Sequence, residues 1–99
     1  MTRKVMWSKD ALKDFQGILE YIATDNVQNA RLVADRVDKS IHLLSETPFG
    51  RPGRMIGTYE AVVPKTPFII AYLLEGSHAL AIIRVIHGAR DWRQGEWPK

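Results

Sequence analysis

Cysteine is absent from the 99-residue sequence. A disulfide framework, a thiol nucleophile and a cysteine-ligated zinc or iron–sulfur site are therefore excluded. No apolar run approaches the roughly 18 residues that span a bilayer. The residues after Met1 lead directly into a segment with a regular hydrophobic pattern. They do not form the apolar core of a signal peptide. We therefore expect a soluble protein of the cytoplasm that does not bind a membrane.

Several common signatures of chemistry are also missing. There is no glycine-rich phosphate loop, no His-Glu-x-x-His helix and no Gly-x-Ser-x-Gly elbow. We therefore expect neither a cofactor nor a metal. The net charge of +3 permits a polyanionic partner but is too small to indicate one.

The length suits one domain over residues 1–99, because a chain this short buries only one modest core. The charges divide unevenly at Pro48. Residues 1–47 hold seven basic and seven acidic side chains, whereas residues 48–99 hold seven basic and four acidic. The hydrophobic period changes at the same place, from a helical repeat to runs rich in Val, Ile, Phe and Tyr, which predicts helices first and a sheet afterwards.

The first half predicts a short strand and a helical hairpin. Residues 4–7 form an apolar run that ends at Ser8, whose hydroxyl can cap a helix. Apolar residues then recur every three or four positions to about Thr24, and again from a turn at Asp25-Asn26 to Pro48, which predicts two antiparallel helices. The two apolar stripes are Ala11, Leu12, Phe15, Ile18, Leu19 and Ile22, and then Ala30, Val33, Ala34, Val37, Ile41 and Leu44.

The second half predicts a sheet after a loop rich in proline and glycine at residues 48–53. Short turns between consecutive strands favour antiparallel pairing, and residues 57–58 suit a bend or bulge within one strand. The predicted fold class is α+β, a two-helix antiparallel hairpin packed on a small, mainly antiparallel β-sheet. Residues 89–97 suit either a helical turn or an extended tail. The predicted strands are residues 54–56, 59–63, 68–74 and 79–86.

Cations of the second half form one group of candidate site residues. One guanidinium group can bind two phosphate oxygens at once, and aromatic rings stack on exposed bases. Loop arginines also commonly serve solubility, and aromatic residues commonly fill a core or an interface, so both interpretations stay open. The cations are Arg51, Arg54, Lys65, Arg84, Arg90 and Arg93 with His87, and the aromatic residues are Tyr59, Tyr72, Trp92 and Trp97.

Arg84 follows Leu80 and Ile82 on one face of its predicted strand. An arginine in so apolar a strand needs a carboxylate, and Glu60 is the predicted partner. Alternatively, Arg84 stabilises negative charge on a transferring phosphate. His87, at the strand end, suits either a general acid or base or a hydrogen-bonded surface residue.

Motifs along nearly the whole chain resemble those of the RelE/ParE superfamily of toxins from bacterial type II toxin–antitoxin modules. The similar segments are residues 7–8, 21–23, 48–54, 57–60, 64–72 and 84–92, with Gly-Arg-x-Gly-Arg, Gly-Thr-x-Glu and Arg-Val-x-His-x-x-Arg-x-aromatic in order. The resemblance implies the same α+β fold. It also implies a cognate antitoxin whose flexible C-terminal segment folds against the toxin, and operator DNA reached only through that antitoxin.

The superfamily has two branches with different targets. RelE-like members cut mRNA in the ribosomal A site, and that branch implies Glu60, Arg84, His87 and Arg90 as base, charge stabiliser, acid and phosphate clamp. ParE-like members poison DNA gyrase and are not known as enzymes. Only Lys65 is basic between residues 57 and 74, and a charge of +3 is low for docking into ribosomal RNA, which favours the ParE branch.

For the ParE interpretation, the catalytic residues are unknown and the candidate residues are those that contact the target. A third hypothesis is a degenerate, non-toxic fold that only binds its antitoxin. The candidate target-binding residues are Arg51, Arg54, Arg84, His87, Arg90, Trp92 and Arg93.

Overall fold

The computed structural model describes residues 2–88, so the alternatives for residues 89–97 lie outside the described residues. Two helices pack on a five-stranded sheet, which confirms the predicted α+β class. Within the described range, no helix is long and apolar enough to cross a membrane. The elements are β1 (Lys4–Trp7), α1 (Lys9–Asp25), α2 (Val27–Glu46), β2 (Arg51–Pro52), β3 (Tyr59–Val62), β4 (Phe68–Glu75) and β5 (Ala79–His87).

The predicted helical hairpin is confirmed, with side-chain caps at both helix starts. Ser8 Oγ accepts a hydrogen bond from the Ala11 amide at 3.0 Å. Asn26 Oδ1 accepts one from the Asn29 amide at 3.0 Å, while the Asn26 amide donates to the Ile22 carbonyl at 2.9 Å. Asn26 thus ends α1 and begins α2, because one residue satisfies free backbone groups of both helices.

The sheet has the strand order β1-β5-β4-β3-β2. β1 runs parallel to β5, and the other neighbouring strands are antiparallel, as predicted for strands joined by short turns. The helical hairpin carries the chain across the sheet from β1 to β2. β1 and β2 therefore lie at opposite edges of the sheet.

The predicted strand over residues 54–56 is wrong, because these residues form a bend and turn. The strand lies instead at Arg51–Pro52, inside the predicted loop, and pairs with Tyr59 and Glu60 of β3. The Gly53 amide donates to the Thr58 carbonyl at 2.8 Å, which closes the chain into a hairpin. Residues 57–58 thus belong to the connection between β2 and β3 instead of to a bend within one strand.

A bulge in β5 changes which side chains share a face. Ala71 lies opposite Arg84 while Tyr72 lies opposite Ile82, so Ile83 is the extra residue. Val85, and not Arg84, therefore continues the core face of Leu80 and Ile82. The prediction that Arg84 shares that face is wrong, because period-two alternation stops at the bulge.

The main core lies between the helices and the sheet, and a small second cluster lies on the other side of the sheet. Alternate residues of β4 supply both, with Ile70 and Tyr72 in the main core and Ile69 and Ala71 in the second cluster. The buried members of the main core are Ala11, Val33, Val37, Ile41, Leu44, Ala61, Val63, Phe68, Ile70, Tyr72, Leu80, Ile82 and Val85.

Candidate functional site

Arg84 binds a carboxylate, as predicted, but the carboxylate belongs to Asp14 of α1 and not to Glu60. Arg84 Nε donates to Asp14 Oδ2 at 2.7 Å and Arg84 Nη2 donates to Oδ1 at 2.9 Å. The same Oδ2 accepts the Val85 amide at 3.1 Å. β1 ends opposite Ile82, so the adjoining edge of β5 is open to α1, and Asp14 satisfies both the arginine and the edge amide.

Glu60 forms a separate ion pair within the connection between β2 and β3. Its side chain is only 4% exposed. Glu60 Oε2 accepts the Arg54 amide at 2.9 Å and Arg54 Nε at 3.0 Å, and Oε1 accepts Arg54 Nη2 at 3.3 Å. The buried charge is therefore compensated by an arginine and a backbone amide of the same hairpin.

The sheet register places three of the candidate site residues in one row. Arg51 lies opposite Glu60, Glu60 opposite Ala71, and Ala71 opposite Arg84. Two strand spacings, about 10 Å, therefore separate the backbones of Glu60 and Arg84. The predicted pair between them does not form, because Glu60 pairs with Arg54 and Arg84 pairs with Asp14.

His87 lies away from this row. It sits opposite Phe68 of the main core, with the two rings 5.6 Å apart in an edge-on arrangement. His87 and Arg84 therefore occupy opposite faces of β5. The structure does not gather Glu60, Arg84 and His87 into one cluster, and Arg90, Trp92 and Arg93 lie outside the described residues.

The two tyrosines considered for base stacking have different surroundings. Tyr72 is almost fully buried and donates its hydroxyl to the Phe49 carbonyl, so its ring cannot stack on a base. Burial raises the pKa of the Tyr72 phenol, with the electrostatic effect of Tyr59 adding to the shift and that of Arg3 opposing it. Tyr59 stacks on Tyr72 at 5.7 Å and keeps part of its surface exposed.

The connection over residues 53–58 is a closely hydrogen-bonded loop, which we call the hairpin tip. The Thr58 hydroxyl and the Thr58 amide both donate to the Met55 carbonyl, at 2.6 and 3.1 Å. A Cβ atom at Gly53 would collide with Thr58 Oγ1, so this packing requires glycine there. Ile56, at the end of the tip, is fully exposed with a relative exposure of 105%.

A groove of about 670 Å³ lies between β1 and α2. Val5 and Trp7 form one wall, and Trp7 stacks on Phe15 with the ring centroids 5.5 Å apart. The resemblance implies an apolar groove beside the helices or the sheet, but the sequence does not show which residues line it, since they come from two elements that are distant in the chain. The one indication of the groove in the local sequence is Leu43, an apolar residue that lies outside the buried stripe of α2. The residues of α2 that line the groove are Asp38, Lys39, Ile41, His42, Leu43 and Ser45.

Within residues 2–88, no strand pairs with the edge of β1 that faces this side. The Lys4 amide donates to the His78 carbonyl, and the Ser8 amide donates to the Ile82 carbonyl, so these residues face β5. The intervening Val5 and Trp7 therefore direct their backbone groups away from β5. Such an edge offers donors and acceptors to an added strand.

The fold is similar to that of a solved structure, and the sequence is similar to that of a curated relative. A solved structure described as "Chromosomal ParDE TA system from P. aeruginosa" superposes with a TM-score of 0.76 and 18% identity, over 87% of this chain and 96% of that chain. A curated relative, "Putative toxin Y4kP" of Sinorhizobium fredii (strain NBRC 101917 / NGR234), is 35% identical over 96 residues, which is 95% of this chain and 98% of that protein.

The profile described as "ParE toxin of type II toxin-antitoxin system, parDE" matches residues 5–92. The chain therefore belongs to the ParE toxin family of type II toxin–antitoxin systems. This confirms the predicted superfamily and its ParE-like branch.

Proposed function

We propose that this ParE-type toxin arrests growth in the cytoplasm by poisoning DNA gyrase, and that a cognate antitoxin holds it inactive. Family membership over residues 5–92 carries the proposal. The geometry also favours it over mRNA cleavage. Glu60 and Arg84 are each engaged in an ion pair, and His87 lies on the opposite face of β5 from Arg84.

The first test is to induce the toxin alone and to compare mRNA integrity with gyrase-linked DNA breakage within minutes. We expect intact messages together with trapped, broken DNA. A matched culture that expresses a gyrase variant resistant to this toxin should keep growing. Rapid cutting of translated messages with intact DNA would contradict the proposal and support a RelE-like ribonuclease, whereas no growth arrest at all would leave the non-toxic, antitoxin-binding hypothesis.

The groove between β1 and α2 is the surface we propose for the antitoxin, with operator DNA bound only through that partner. Its apolar wall suits side chains of a segment that folds on binding, and the open edge of β1 can pair with an extended stretch of that segment. A segment held in both ways gains apolar burial and main-chain hydrogen bonds together.

Replacing Leu43 with arginine is expected to weaken antitoxin binding by about tenfold or more, because a charged side chain would enter an apolar contact surface. Leu43 lines the groove and is 56% exposed, so the free toxin should fold normally. Calorimetric titration with the antitoxin peptide measures the effect. Leu32→Arg is the matched control, since Leu32 is exposed on the same helix outside the groove; equal losses in both variants would contradict the proposed surface.

A further inference from the structure

Ile56 combines complete exposure with a fixed position. Single exposed apolar residues are common on protein surfaces and need no explanation by themselves. Ile56 differs because the loop that carries it is held by buried contacts while the side chain itself is left in water. Among the exposed large hydrophobic residues of the described range, it has the highest relative exposure.

The contacts of the hairpin tip hold both of its sides. Glu60, almost fully buried, accepts hydrogen bonds from the Arg54 amide and from two nitrogens of the Arg54 guanidinium, and Thr58 donates twice to the Met55 carbonyl. Met55 packs on the second apolar cluster. The tip is therefore ordered before it meets a partner, which lowers the entropy cost of binding through Ile56.

The charge next to the tip is positive. Arg51 is exposed on β2, while the carboxylate opposite it, Glu60, is buried and paired with Arg54. The second half of the sequence carries the whole basic surplus of the chain. An apolar tip with a cation beside it complements an apolar pocket bordered by carboxylates.

We propose that the hairpin tip is the anchor by which this toxin docks on its protein target, with Ile56 inserted into an apolar pocket and Arg51 facing acidic residues at its border. The proposal rests on the toxin function given above and specifies the surface that contacts the target. An aliphatic side chain has neither a ring that stacks on bases nor a group that reads base edges, so a protein pocket suits it better than RNA.

The tip and the groove can be altered separately. β2 and β1 form opposite edges of the sheet, with three strands between them, so about 19 Å separates the two edge strands. A substitution at Ile56 therefore leaves Val5, Trp7 and Leu43 of the groove unchanged. Antitoxin binding then reports whether the altered toxin is still folded.

The test is Ile56→Ser in the full chain, with Tyr21→Ser as a matched control because Tyr21 is 80% exposed on α1, away from the tip. The measurements are affinity for purified DNA gyrase, the potency of growth arrest, the thermal midpoint and the antitoxin affinity. We expect Ile56→Ser to weaken gyrase binding and growth arrest by about tenfold or more, as for a central interface anchor. The thermal midpoint and antitoxin affinity should not change, and Tyr21→Ser should behave like the unaltered toxin.

The outcomes separate this inference from the proposed function. If the unaltered toxin binds gyrase and Ile56→Ser binds it equally well, the docking surface is overturned while gyrase poisoning stands. If the unaltered toxin does not bind gyrase, the proposed target is wrong. The potency of growth arrest by Ile56→Ser then tests the docking surface. Arrest lost in Ile56→Ser with antitoxin binding retained then supports the tip as the contact with another protein. Arrest unchanged in Ile56→Ser, or arrest by mRNA cleavage that this substitution leaves intact, overturns it.

Discussion

Asp14→Ala is expected to lower the free energy of unfolding by about 3 kcal/mol, the scale for breaking one partner of a buried ion pair. Asp14 and Arg84 are each only 16% exposed. The substitution leaves the Arg84 guanidinium without this carboxylate and also removes the acceptor of the Val85 amide. Urea unfolding followed by tryptophan fluorescence and circular dichroism measures the loss.

Asp35→Ala is the matched control for this prediction. Asp35 also pairs with a cation, Lys39 at 3.4 Å, but both side chains are more than half exposed. Exposed helix pairs contribute little, so we expect a change of at most about 0.5 kcal/mol. If Asp35→Ala and Asp14→Ala changed the free energy of unfolding equally, the contacts of Asp14 with β5 would not be important for stability.

The ion pair between Asp14 and Arg84 also affects how the toxicity of an Arg84 variant is interpreted. Arg84→Ala removes the same ion pair, so a loss of toxicity is not by itself a sign of catalysis. The double substitution Asp14→Leu with Arg84→Met should recover much of the stability, because buried pairs are often replaceable by apolar residues of similar size. Toxicity that returns with stability would identify Arg84 as a positioning residue, whereas a stable but inactive double variant would indicate that Arg84 touches the target.

Glu60→Ala is the second substitution with a large expected effect, a loss of about 3 kcal/mol in the free energy of unfolding. It leaves the Arg54 amide and guanidinium without their shared carboxylate beneath the hairpin tip. Hydrogen exchange at the Arg54 amide should become faster, since its acceptor is removed. Glu60→Gln keeps an oxygen acceptor and should cost less, about 1–2 kcal/mol.

Glu75→Ala is the control, because Glu75 is an exposed carboxylate at the end of β4 and should contribute at most about 0.5 kcal/mol. A Glu60→Ala variant as stable as Glu75→Ala would contradict the described role of the ion pair. The milder Glu60→Gln variant also tests function. If the unaltered toxin cut mRNA and a folded Glu60→Gln variant did not, Glu60 would act as the base of a RelE-like site.

Local sequence signals account for most of the fold. The helices were predictable because their apolar period and their caps, Ser8 and Asn26, act within a few residues. β3, β4 and β5 were predictable from runs of β-branched and aromatic residues separated by turns. The strand at residues 54–56 was predicted wrongly, because Met55-Ile56 looks like a strand locally although the Arg54 amide donates to the buried Glu60 carboxylate.

The sequence by itself thus determined the two helices, the three main strands, the α+β class and the resemblance to a toxin superfamily, all of which depend on short-range patterns. Only the tertiary structure decided the partner of Arg84, since Asp14 lies 70 positions away and reaches Arg84 only because β1 stops short along the edge of β5. The same holds for the residues that line the groove. Strand register and helix placement join distant residues, and local periodicity carries no information about which of them meet.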